Sequence, residues 1–122
     1  MNVVLWIFQG LLAVTFAASG VAKSSLSKEK LIAIGQTGVA PFPLWLIRFT
    51  AYCELLGAIA TILPWLTRTA TLLTPLAAAG FAVIMVAAIS SHVWLKEPAN
   101  VVLTTAILLL AVTVSIGRFG YL

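Results

Sequence analysis

Apolar residues run in four long blocks, residues 2–22, 44–66, about 69–91 and about 99–117, with polar residues gathered between them. Each block is close to the ~20 residues that cross a ~30 Å hydrocarbon core as an α-helix. None shows the period-two alternation of a lipid-facing barrel strand, and a helix satisfies its own backbone in lipid, so the blocks predict helices. Pro64 is placed to end the second helix early, and Pro75 either kinks the third or occupies its first turn. The breaks "TRT" (67–69) and "VWLKEPA" (93–99) are short and make the flanking helices antiparallel neighbours. The first connection, residues 23–43, is long. Its front half predicts a short interfacial helix over about 27–35, with Ser27 as cap, Glu29 at the positive end and Gly35 as stop. Leu31, Ile32 and Ile34 would rest on the membrane while Lys28 and Lys30 face water. The back half, "GVAPFPLW", has two prolines and predicts extended chain.

Composition turns this pattern into a class. Of 122 residues, 62% are hydrophobic and 8% charged, against about 25% charged in a soluble domain. There is too little polar surface to coat a globule in water. The fold class is therefore an all-α integral membrane four-helix bundle, and the length fits a single membrane domain over residues 1–122. The net charge of +4 marks cytoplasmic loops rather than nucleic-acid binding. The first block lacks the leading Lys or Arg of a signal peptide and is expected to be a retained helix. A single cysteine, Cys53, excludes dithiol chemistry by this chain alone and is expected as a small packing residue. Trp6, Trp45, Trp65 and Trp94 lie near segment ends, as an aromatic belt does.

Alternating helix directions then decide which polar residues share a membrane side. Lys23, Arg48, Glu54, His92, Asn100 and Thr104 fall in one half of the bundle, and Arg68 and Arg118 at the other end. Glu54 lies ten residues past Leu44, about 15 Å along the helix and near the bilayer midplane. On the second helix Thr50, Ala51, Glu54, Gly57, Ala58 and Thr61 form one small and polar stripe, the kind through which membrane helices pack. Glu54 is therefore expected to point inward, since a charge on the lipid face at that depth costs about 2.5–3.5 kcal/mol. The proposed pocket has Glu54 at its base, Lys23 or Arg48 as counter-charge, and His92 and Asn100 at its rim. Each residue also has a plainer role. Glu54 is then an interhelical tie, Lys23 a snorkelling cation, Arg48 an interfacial anchor and Asn100 a helix cap. One histidine with no cysteine near it does not make a metal site.

Three stretches carry a family resemblance: "FAASGVAK" ending in Lys23, "CELLGAIATILP" containing Glu54, and His92 followed by "EPAN". With its length, helix count and long first connection, the chain resembles the DoxX-like family of small four-helix bacterial membrane proteins. The resemblance implies Lys23, Glu54 and His92 as the functional set; Arg48 and Asn100 are added by position. It also implies a multi-pass protein of the bacterial cytoplasmic membrane. Some relatives are subunits of quinone-linked or redox-associated complexes and others look like assembly factors, so a subunit of, or small-molecule binder in, a redox-associated complex is expected. The expected partners are the lipid bilayer, a membrane or redox protein, or a second copy of the chain. No haem, flavin or metal motif is present, so a redox role needs a partner or a quinone-like or lipid-like molecule held in the bundle. Two alternatives stay open. One is a small proton-coupled transporter, although small multidrug resistance proteins carry their acid in the first helix, where this chain has Gln9. The other is an enzyme using Glu54 and His92 as acid and base.

Overall fold

A computed structural model describes residues 2–122 as five α-helices and one 3₁₀ turn: α1 (Asn2–Ser25), α2 (Lys28–Ala33), the turn Thr37–Val39, α3 (Leu44–Thr67), α4 (Leu73–Trp94) and α5 (Pro98–Gly120). The four long helices are apolar and long enough to cross a membrane. At ~1.5 Å per residue a 24-residue helix such as α1 or α3 spans about 36 Å, more than the ~30 Å hydrocarbon layer. Contacts run α1–α3, α3–α4, α4–α5 and α5–α1, closing the long helices into a ring.

The centre of the ring is built around Leu12, Phe16, Ala78, Phe81, Met85, Ala111 and Val114. The Phe16 and Phe81 rings stack with centroids 3.9 Å apart and planes 3° from parallel. Gly57 permits this, because a Cβ there would lie 2.6 Å from Phe81 Cε1. The outer surface is apolar: Val14, Val83, Val102, Leu109 and Ile116 are all exposed. Water would not tolerate so continuous an apolar exterior, whereas lipid does.

The prolines explain how α3 ends and α4 begins. Pro64 lies inside α3, which continues to Thr67. Its missing N–H leaves the Ala60 carbonyl without its helical donor, and the Thr74 hydroxyl donates to that carbonyl at 3.0 Å. A residue of α4 thus repairs the backbone of α3. Arg68 and Ala70 have left-handed φ values of 57° and 52°, which stop helical continuation. The third long helix therefore starts at Leu73 rather than near residue 69, with Pro75 in its first turn, where no donor is needed.

The long connection departs from expectation in two places. α2 forms with Ser27 as its cap, its hydroxyl accepting from the Lys30 N–H, and Gly35 takes φ 101° just after it. Leu31, expected on the lipid surface, is instead fully buried against Val39 and Ile47. Lys28 does not simply face water, since its Nζ donates to the Phe42 carbonyl at 2.7 Å. These contacts fold the connection onto the bundle as a plug. The stretch expected to be extended begins instead inside the 3₁₀ turn, tied down where Ser91 Oγ donates to the Gly38 carbonyl at 2.7 Å. Cys53, expected to pack inside, is exposed on the outer face of α3.

Candidate functional site

Glu54 is fully buried, and its partner is Lys23. Lys23 Nζ lies 2.7 Å from Glu54 Oε1 and joins α1 to α3. Close approach of the two helices brings the pair together: a Cβ at Gly20, one turn before Lys23, would lie 2.7 Å from Leu55 Cγ. The second carboxylate oxygen, Oε2, is buried without a hydrogen-bond partner among the described residues. Arg48 does not reach Glu54; it donates from a terminal nitrogen to the Lys23 carbonyl at 2.6 Å. That bond occupies a carbonyl in the open last turn of α1 and fixes the backbone that carries Lys23. Arg48 is thus a positioning group for the pair rather than its counter-charge.

His92 and Asn100 belong to a different cluster. His92 is buried near the end of α4. Its Nδ1 lies 2.8 Å from Glu97 Oε1. Glu97 also accepts from Thr37 Oγ1 at 2.8 Å, and Thr37 accepts from Asn100 Nδ2 at 3.4 Å. A carboxylate only accepts, so Nδ1 carries the proton and Nε2 is the ring atom left for another partner. The hydrogen bond from His92, then that from Thr37, holds the Glu97 carboxyl below its ordinary value. Asn100 is not a helix cap, because Glu97 occupies the cap position of α5. Glu97 had stood out in the sequence only as part of "EPAN". Its pairing with His92 depends on the turn at residues 95–97, which a helical reading does not supply.

The two clusters meet at a cavity of about 720 Å³ lined by all four long helices, α1, α3, α4 and α5, and by the folded connection. Its walls are mainly apolar, including Phe16, Val39, Ile84, Ala88 and Ile107. Beside the hydroxyl residues Ser19, Thr50 and Thr104, the polar lining includes Lys23, Gln36, His92 and Asn100. The volume falls within the ~300–1,000 Å³ of small-molecule sites. Thr15, Ala18 and Leu103 line it and are also exposed, so the cavity reaches the outer surface of the bundle. Glu54 and Arg48 do not line it. The acid expected at the base of a pocket does not line the cavity; its partner Lys23 does. Glu54 and His92 are not joined by a hydrogen bond, and each has its own partner.

A family model described as the DoxX-like family matches residues 7–114. No curated protein and no solved structure matches the chain.

Proposed function

The chain belongs to the DoxX-like family, and from that premise we propose that it binds a small amphipathic molecule, quinone-like or lipid-like, within a redox-associated complex of the bacterial cytoplasmic membrane. The observation that carries this reading is the cavity, with mainly apolar walls and Lys23, His92 and Asn100 among its polar lining residues. A head group with two or three oxygens and an apolar tail suits that lining. Lys23 and the Asn100 amide supply donors. His92 Nε2 donates when the ring is protonated and accepts when it is neutral, so it can meet either a carbonyl or a hydroxyl. The chain holds the molecule in place, and electrons come from a partner.

The transporter and enzyme readings draw less support. Glu54 is bonded to Lys23 and His92 to Glu97, so the two residues do not form one acid–base pair. The test is a titration of purified protein with decylubiquinone, followed by quenching of tryptophan fluorescence. Saturable binding that is lost in His92→Ala and in the cavity-filling variant Ala88→Phe is the expected result. Quenching that is linear and equal in all three proteins would mean partition into the detergent and no site.

A further inference from the structure

Arg118 is a second fully buried charge, at the opposite end of the bundle from Lys23 and Glu54. Its Nε donates to Gln9 Oε1 at 2.6 Å and one terminal nitrogen to Asn2 Oδ1 at 2.7 Å. Gln9 is held in turn, donating to the Thr61 carbonyl at 2.7 Å. Three aromatic rings surround the guanidinium, with its Cζ 4.6 Å from the Trp65 centroid and 5.4 Å from those of Trp6 and Tyr121. The other terminal nitrogen, NH2, is buried with no acceptor among the described residues. Trp6 and Trp65, expected as lipid-interface anchors, are therefore walls of a cage around a cation.

Among the described residues no carboxylate pairs with Arg118. The chain has three acids, Glu29, Glu54 and Glu97, and all lie toward the other end, in α2, at mid-depth in α3 and at the cap of α5. Both partners of Arg118 are neutral amides. A buried guanidinium without a carboxylate, and with an unused nitrogen, is costly. Its planar fork matches a phosphate or carboxylate edge. Asn2 and Tyr121 are exposed, so the cage is approachable on that side, and the Asn2 amide oxygen stands where an anionic oxygen would sit. The cage lies where α1 begins and α3 and α5 end, and the ends of membrane-spanning helices are where lipid head groups are met.

We propose that Arg118, walled by Trp6, Trp65 and Tyr121, is a binding site for a phosphate group, which takes the unused terminal nitrogen and displaces Asn2 from the neighbouring one. The phosphate comes from an anionic phospholipid or from solution, and the test separates the two. Purified protein in neutral detergent is melted with added phosphatidylglycerol, with phosphatidylcholine, or with inorganic phosphate. Phosphatidylglycerol raises the melting temperature of the wild type while phosphatidylcholine does not, since choline masks the phosphate charge. A rise with inorganic phosphate alone assigns the same site to a soluble anion.

Two variants decide whether the effect arises at this site. Asn2→Asp places a carboxylate against the same nitrogen, and Arg118→Met removes the cation. Each is expected to weaken phosphatidylglycerol binding about tenfold or more, with Asn2→Asp melting above wild type when no anion is added. Arg68→Gln removes an exposed cation from the same end and is expected to keep the response. No response in the wild type to either anion, or a response retained in Asn2→Asp, overturns the proposal.

Discussion

Lys23 Nζ and Glu54 Oε1 lie 2.7 Å apart and link α1 to α3 deep in the bundle. The pair is unsymmetrical. Glu54 has no exposed surface, whereas the Lys23 side chain keeps 13%. Lys23→Met strands a buried carboxylate and is expected to cost about 3–5 kcal/mol. Glu54→Leu is expected to cost less, because the freed lysine can snorkel toward water. The double variant should melt near the wild type. Thermal melting in detergent checks the order, and a Glu54→Leu variant weaker than Lys23→Met would deny the asymmetry.

Gly57 sets how closely α3 approaches α4. Any side chain there meets Phe81, whose ring is already held face to face with Phe16. Gly57→Leu is expected to destabilise the bundle by about 1–3 kcal/mol, as overpacking does. Gly80→Ala, which meets nothing within 4 Å, should be neutral or slightly stabilising. Melting curves of the two variants make the comparison; equal behaviour would place Gly57 outside the packed face.

The Glu97 carboxyl is held below its ordinary value of 4.5 by His92 and Thr37. A depressed carboxylate contributes stability above its unfolded value and loses it as pH falls through the folded one. Wild-type melting temperature should therefore fall as the pH drops below about 4.5, as the tie among His92, Glu97 and Thr37 is lost. Glu97→Gln should be less stable near neutrality and show a shallower acid slope. Parallel acid slopes for the two proteins would show that Glu97 does not carry the effect.

The helix pattern, the cap at Ser27 and the inward face of α3 were legible because they follow from local rules of spacing and terminal chemistry. Glu54 was legible for the same reason, as a lone acid on a small-residue stripe. Its choice of Lys23 over Arg48 was not, since it depends on how far α1 and α3 slide past each other. Leu31 and Trp65 were misplaced because apolar and aromatic residues near a segment end suit a lipid interface and a protein interior equally well. The Arg118 cage needed Gln9 and Asn2 from the far end of the chain, a pairing that no periodicity reveals. The Thr74 repair of Ala60 could have been suspected, because a proline inside a helix always frees the carbonyl four residues back.

Orientation follows from the cations left free. Lys23 and Arg48 are bonded within the protein and Arg118 is caged. Lys30 and Lys96, with the loop-bound Lys28, then stand on one side against Arg68 on the other. By the positive-inside rule both termini are expected outside the cytoplasm. A C-terminal alkaline phosphatase fusion should be active and a green fluorescent protein fusion dark; the reverse would invert the topology.

The central claim is that the cavity beside Lys23, His92 and Asn100 holds an amphipathic molecule. Its most direct test is photolabelling of the membrane-embedded protein with an azido-quinone, with the modified residues mapped by mass spectrometry. Labels confined to the cavity wall, at Ala88, Leu103 or Ile107, and suppressed by excess decylubiquinone are the predicted result. Labels spread over the lipid-facing residues Val14, Val102 and Ile116, and indifferent to competitor, would contradict it.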